Sequence, residues 1–488
     1  MNISYNSDKY QYTMGKSFFE DGMKDKKAVF NMFYRVAPEM NNWAVVSGIR
    51  EVVEMINGIG SETPDFFESF MPGREYEAFR KYISGIHFTG NVYAMDEGEI
   101  AFPSQPVITV EAPLIEAQIL ETPLLAIMNH QMAVATKASR VTRSTTKPVS
   151  EFGSRRAHGP WASIYGGKAA VIGGCVNTSN IYTGYEFGVP SSGTMAHSFI
   201  TAYGCSIKGE LNAFRSYIRT HSGENLILLI DTYDSLHCGI KNAMRAFSEA
   251  GIDDNYKYGY GIRLDSGDLA YLSRRCRDIL DRNGFTKCKI IATNALDEYL
   301  ITALERQHAL IDAYGVGDAI ATSKQNPCFG NVYKLVQIDE KPLLKRTEDK
   351  TKLVNPGFQI TYRIISEGKF DADVTCLRGD KLSRAIEKGE TITLRKEIDE
   401  TQSKTYPEGT YDWKILQHKV IDNGKSVYKD KPLMEKRAYY LNNLASFNET
   451  EIRITNPHFY KTDISDDLYD LKNSLIRNLI REIKEMNF

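Results

Sequence analysis

The chain has 488 residues, more than one ordinary hydrophobic core accommodates, so roughly two or three structural units are expected. Hydrophobic residues make up 42% and charged residues 25%, a balance that excludes global disorder. Lys plus Arg (60) nearly cancel Asp plus Glu (62), and the net charge of −2 gives no electrostatic reason to expect a nucleic acid or an anionic membrane as partner.

The seven cysteines (Cys175, Cys205, Cys238, Cys276, Cys288, Cys328 and Cys376) are odd in number, scattered and never spaced C-x-x-C. That pattern argues against a disulfide framework or a thiolate metal site and favours a reducing compartment. Residues 1–10 are polar, with no apolar signal core, and the most apolar run, Leu226 to Ile230, is far too short to cross a bilayer. A cytoplasmic protein is expected.

In chain order, Ala28 to Tyr34 reads as a strand, and Trp43 to Ile59 carries a helical period that ends in glycine. Asn91 to Val110 holds short runs separated by Asp-Glu-Gly and Pro, which suits a small antiparallel sheet, and Leu124 to Ser139 reads as a long helix. Residues 1–145 therefore look like an N-terminal α+β domain.

From 146 to 340 short apolar runs end abruptly in polar residues and are followed by helical stretches. Leu226 to Ile230 runs into Asp231-Thr-Tyr-Asp234, Tyr258 to Ile262 into Arg263-Leu-Asp-Ser-Gly-Asp268, Lys289 to Ala292 into Thr293-Asn294, and Ile311 to Tyr314 into Gly315-Val-Gly-Asp318. Ser266 can cap the helix that follows, and Asn294 with Asp297 resembles a capping box. Strand, polar tip and helix in alternation are the rhythm of an α/β fold, either a β/α barrel or a doubly wound sheet. In both, the strand tips share one rim where ligands bind, so these polar residues are expected to converge. Residues 341–488 form a C-terminal region richer in Lys, Glu and Asp, expected to pack on the N-terminal domain. It ends in a helix over Ser465 to Met486 with apolar residues at 468, 471, 475, 479 and 483.

Walker-type, Rossmann-type and H-E-x-x-H motifs are absent from the sequence. In Arg263 to Asp268, an arginine suited to phosphate and Asp265, suited to ribose hydroxyls or Mg²⁺, flank a strand tip. A helix cap with an ion-paired arginine fits the same residues. Phe152-Gly-Ser-Arg-Arg-Ala-His158 places an aromatic face beside guanidinium groups, which suits a flat anionic ring, although basic surface patches look similar. Ser192 to Ser198 carries His197 near a tight glycine turn, either structural or able to act as an acid/base or phosphoryl acceptor. Gly315 and Gly317 can cradle phosphate with backbone amides, as any short turn can, and Asp231 and Asp234 can orient a base or a metal.

The joint occurrence of these segments in this order resembles the nicotinate phosphoribosyltransferases. The resemblance rests on Asp8 to Met14, Ala28 to Phe30, Ala135 to Ala138, Glu151 to Ala157, Thr178 to Asn180, Ser192 to Ser198, Asp231 to Asp234, Arg263 to Leu269, Gly315 to Gly317, Gly330 to Leu335 and Asn456 to His458. It extends over roughly residues 5 to 480. Two departures, Ser7 where the family usually has Thr and His158 after Arg-Arg-Ala, remove no proposed chemical group.

The resemblance implies an irregular β/α barrel with an N-terminal α+β domain and a C-terminal extension, assembled as a homodimer with shared active sites. It implies an ATP-dependent enzyme that makes nicotinate mononucleotide from nicotinate and phosphoribosyl pyrophosphate, with Mg²⁺ and ATP required. His197 would be the histidine that ATP phosphorylates, and Asp265 and Asp231 would act with it in catalysis. Tyr10 of the partner subunit and Phe152 would sandwich the pyridine ring, and Thr194 would lie close to it. Arg155 and Arg263 would contact phosphate or carboxylate groups, and Gly315, Gly317 and Thr322 would hold phosphate. Asn294 is a further expected substrate contact, and no set of residues is assigned as a metal site. Ser179 stands where the nicotinamide-specific relatives carry an Asp, which would repel a carboxylate, so nicotinate is the expected substrate.

Overall fold

Short β-branched and aliphatic runs in the middle of the chain do become strands, and all of them run parallel. The structure is a computed structural model that describes residues 3–36, 43–60, 64–346, 353–396 and 399–486. The chain divides into two compact units, one of Met1–Ala133, Asn326–Lys431 and Glu435–Phe488, the other of Val134–Gln325 and Pro432–Met434.

The second unit is built on a six-stranded sheet. Across the sheet the strands are Asn177–Thr178, Val149–Glu151, Ala313–Val316, Lys289–Ala292, Tyr260–Leu264 and Leu226–Leu229. Every neighbouring pair is parallel, so all six C-terminal ends lie on one edge. Leu226–Leu229 is buried throughout, as expected of a strand covered on both faces. The segment after Pro190 reaches towards both sides of this sheet. Ser192 donates its amide to the Thr178 carbonyl at 2.9 Å, and five residues later His197 meets Asp231, just beyond the opposite outermost strand. The sheet is thus a parallel half-barrel, and the expected barrel rather than a doubly wound sheet is found.

Helices follow the strands, and their caps differ in detail from the sequence reading. Helix Leu269–Arg282 is capped by Asp268, which accepts from the Tyr271 amide, and not by Ser266. Helix Glu298–Arg306 is capped by Asp297 alone, whose side chain accepts from the Tyr299 and Leu300 amides. Asn294 instead takes a left-handed φ of +80°, which its short polar side chain tolerates and which turns the chain off the strand end. Arg263 and Gly315 lie within strands rather than beyond them, because those strands begin two residues later than the apolar runs suggested.

The first unit has two main sheets. Its seven-stranded antiparallel sheet takes strands from three stretches of chain, with Lys27–Tyr34 between Asn331–Ile338 and Ile108–Pro113. A four-stranded sheet of Asp412–Ile415, Gln359–Ser366, Lys369–Leu377 and Lys461–Ile464 carries a core of its own. Trp43 to Ile59 is not one helix: Ala44–Val45 is a short strand and only Ile49–Asn57 is helical, starting after Gly48 at φ +111°. The last helix, Asp466–Glu485, forms as expected with Ser465 as its cap, yet along its apolar stripe only Leu468 is buried and Ile483 is exposed. No helix among the described residues is long and apolar enough to cross a membrane.

Candidate functional site

The C-terminal edge of the parallel sheet gathers most of the expected residues. Moving across it, Ser179, Phe152, Gly317, Asn294, Asp265 and Asp231 each lie at or just beyond a strand end.

At one side of this edge stands a histidine–carboxylate pair. His197 Nε2 is 3.2 Å from Asp231 Oδ1, and Asp231 Oδ2 accepts the Ser266 hydroxyl at 2.5 Å. A carboxylate only accepts, so Nε2 is the donor, an arrangement that in the neutral ring leaves the lone pair on Nδ1. The Asp231 side chain is 2% exposed and that of His197 44%, so the imidazole is held by a buried carboxylate while the ring itself stays accessible. Asp234 is spent elsewhere, accepting the amides of Leu236 and His237 at the start of the next helical turn.

Arg263 lies on the neighbouring strand. Its two terminal nitrogens donate to Thr194 Oγ1 and to the Met195 carbonyl, each at 2.9 Å. Nε is buried and has no partner among the described residues. Burial lowers the Arg263 pKa, an effect opposed by Asp265 and Asp231 and reinforced by Arg155. Asp265 accepts the hydroxyl of buried Thr293, while Arg155 is exposed in the turn after Phe152.

Phe152 forms a flat floor in the middle of the edge. Its amide donates to the Val316 carbonyl at 2.8 Å. A Cβ on Gly315 would lie 2.6 and 2.8 Å from two ring carbons of Phe152, so the ring lies directly on bare backbone. A Cβ on Gly317 would come within 3.1 Å of the Phe152 carbonyl oxygen. The Thr322 hydroxyl donates to the Asp318 carbonyl one turn back in its own helix. Asn294 is exposed at its strand end. Tyr10 belongs to the first unit, in the first turn of helix Lys9–Glu20, with 46% of its surface exposed and its hydroxyl 3.3 Å from Glu121 Oε2.

Comparison with known proteins gives the same family at both ends of the chain. Residues 6–129 match the nicotinate phosphoribosyltransferase N-terminal domain and residues 358–472 its C-terminal domain. A nicotinate phosphoribosyltransferase of Bacillus subtilis is 36% identical over 99% of this chain and 97% of its own length. The chain belongs to the nicotinate phosphoribosyltransferase family. A family member of Dictyostelium discoideum is 32% identical, over 98% of this chain and 89% of its own. In fold, the chain is similar to the crystal structure of human nicotinic acid phosphoribosyltransferase, with TM-score 0.81, 24% identity, and coverage of 96% of this chain and 99% of the other.

Two buried acids, Glu151 at this edge and Glu210 on helix Ile207–Thr220, were not singled out from the sequence. Glu151 is 2% exposed, accepts the Thr178 hydroxyl at 2.6 Å and the Gly153 amide, and is pushed to a higher pKa by burial. Glu210 is wholly buried, accepts from Asn242 at 2.7 Å, and is raised first by burial and further by Asp231. For Glu210 the available signal was a single charge on an otherwise apolar helix face, which is costly unless hydrogen-bonded, while the three-residue strand that ends in Glu151 offered none.

Proposed function

We propose that this chain joins nicotinate to phosphoribosyl pyrophosphate, releasing pyrophosphate and forming nicotinate mononucleotide for NAD salvage, with ATP consumed through His197. Arg263 is the observation that carries the reading. A guanidinium held by two neighbours, with a third N–H buried and unpaired, is costly until an anion arrives. It lies at the sheet edge that also carries an aromatic floor for a pyridine ring and a tautomer-fixed histidine. Family membership supplies the substrate pair that suits such a site.

In this reading nicotinate rests on Phe152, with Thr194 close by and the partner subunit's Tyr10 closing a homodimeric site from above. Arg155 and Arg263 take the carboxylate and phosphate groups, and Gly317, Thr322 and Asn294 line the path of the ribose phosphate. The ring nitrogen attacks C1 of the ribose. As the C–N bond forms, the C–O bond to pyrophosphate breaks and its electron pair leaves with pyrophosphate. Positive charge grows on the ribose, and Asp265 offers a carboxylate to offset it. The Nδ1 lone pair of His197 attacks the terminal phosphorus of ATP and displaces ADP, and hydrolysis of the phosphohistidine then drives the cycle. Mg²⁺ is expected to enter with the phosphates of the substrates.

The test is product formation by the purified protein with phosphoribosyl pyrophosphate and Mg²⁺, offering nicotinate or nicotinamide, with and without ATP. Nicotinate mononucleotide formed preferentially and boosted by ATP supports the proposal. A preference for nicotinamide overturns the substrate, and no product from either overturns the reaction.

A further inference from the structure

The floor under the pyridine site is held by an acid that takes part in no step described above. Glu151 ends its strand one residue before Phe152, with its side chain turned inward and 2% of its surface exposed. One carboxyl oxygen accepts the amide of Gly153, the residue after Phe152. The other accepts the hydroxyl of Thr178 at 2.6 Å, the residue before Ser179. The same threonine oxygen accepts the Asn180 amide at 3.1 Å, and the Ser179 amide donates to the Glu151 carbonyl at 2.8 Å. The Glu151 side chain therefore grips the chain on the far side of the aromatic floor and, across the strand pair, the residue before the one expected to select the substrate, and the Thr178 hydroxyl oxygen in turn holds the residue after it.

Gly153 belongs to the device. A Cβ there would lie 2.4 Å from the Ala321 methyl, 2.7 Å from the Gly317 carbonyl oxygen and 2.8 Å from Glu151 Oε1. Only a residue without a side chain brings its amide onto the carboxylate and keeps the turn against the Gly317 loop. No cation pairs with Glu151 among the described residues. An acid buried without a counter-charge is a poor stabiliser of a fold, and an apolar residue of similar volume would serve packing better. Its two hydrogen bonds instead serve geometry.

We propose that Glu151 is a positioning residue that acts through Gly153 and Thr178 to hold Phe152 and Ser179 in register, and so sets affinity and selectivity for the pyridine substrate. The inference rests on the function proposed above. Loosening the floor weakens binding of the flat ring, while Asp265, His197 and Arg263, attached to other strands and loops, keep their geometry. The effect should therefore appear in the pyridine KM and in pyridine choice rather than in turnover.

The experiment compares wild type with Glu151→Gln, Thr178→Val and Thr178→Ser in steady-state kinetics, with nicotinate binding measured by calorimetry. Expected for Glu151→Gln and Thr178→Val is a rise of about tenfold or more in nicotinate KM and Kd. The kcat and the KM for phosphoribosyl pyrophosphate should stay within about threefold, and the nicotinate-to-nicotinamide ratio should fall. Thr178→Ser keeps the hydroxyl and should restore wild-type values. Equal loss in kcat and both KM values, or a lowered melting temperature with an unchanged Kd, overturns the inference. If wild type binds nicotinate but makes no nucleotide, the proposed reaction fails and the Kd series alone decides the role of Glu151. If wild type binds no pyridine, both fall.

Discussion

His197 Nε2 and Asp231 Oδ1 lie 3.2 Å apart, and the second oxygen of Asp231 is already taken by Ser266. Asp231 thus has little freedom to do anything except fix the imidazole with its free lone pair on Nδ1. His197→Ala should abolish nicotinate-stimulated ATP hydrolysis while leaving slow transfer without ATP. Asp231→Asn can present an N–H to Nε2 and invert the tautomer, so coupling should fall by roughly 10- to 100-fold, the usual cost of losing an orienting partner. Parallel assays of ATP hydrolysis and of ATP-free transfer check both, and equal loss of the two activities would count against the assigned role.

Gly315 matters here for what it lacks. An alanine would push a methyl to within 2.8 Å of the Phe152 ring and of the Thr293 methyl. Both neighbours are anchored, Phe152 through its amide and Thr293 through Asp265. Gly315→Ala should cost on the order of 1–3 kcal/mol in stability, typical of overpacking. It should also raise the nicotinate KM more than the KM for phosphoribosyl pyrophosphate. Urea unfolding and two-substrate kinetics measure these, and an unchanged nicotinate KM would mean that Phe152 is not the floor of the site.

The contrast between Arg263 and Glu151 shows what could be read from sequence. Arg263 interrupts an apolar run with a charge beside two more polar residues, so its place near a strand end was visible even though the strand begins later than the run. Glu151 ends a strand of only three residues, too short for alternation to reveal which way its side chain points. Of its two partners, the Gly153 amide lies in the adjoining turn, whereas the Thr178 hydroxyl becomes a neighbour only through strand pairing, which local pattern does not encode. The barrel rhythm was legible because four of the six parallel strands grow out of mainly apolar runs, whereas Val149–Glu151 and Asn177–Thr178 do not. The seven-stranded sheet was only partly so, since Lys27–Tyr34 pairs with Asn331–Ile338 some 300 residues away. The half-buried final helix carries the same lesson: a stripe of leucines predicts the helix and its face, but not how much of that face finds a partner.

Ser179 follows a two-residue edge strand and is half-buried beside the Phe152 turn. Replacing it by aspartate places an anion there, which repels the carboxylate of nicotinate and accepts from the carboxamide of nicotinamide. Ser179→Asp should shift the ratio of kcat/KM values towards nicotinamide by about tenfold or more. Competition of the two pyridines for one enzyme sample measures this directly, and unchanged discrimination would remove Ser179 from the specificity argument.

The first unit carries its own pH sensitivity. Arg363, wholly buried, donates to both oxygens of Asp373 at 2.7 and 2.8 Å and to Glu99 at 2.6 Å, with the ring of Phe370 4.9 Å from its guanidinium carbon. Burial alone would raise the Glu99 pKa, but Arg363 and Lys414 outweigh it and hold the carboxyl at about 2, against an ordinary value of 4.5. A folded pKa below the unfolded one means that the stabilisation is complete above pH 4.5 and is lost as pH falls towards 2. The shift is worth on the order of 3 kcal/mol at neutral pH, and less than half of that remains by about pH 3. Glu99→Gln should therefore unfold at lower urea concentration than wild type at pH 7, with the gap between the two closing steadily on acidification. Unfolding midpoints for both proteins from pH 7 down to about pH 3 test this. A gap that stays constant over that range would show that Glu99 contributes through packing and hydrogen bonding alone, not through its charge.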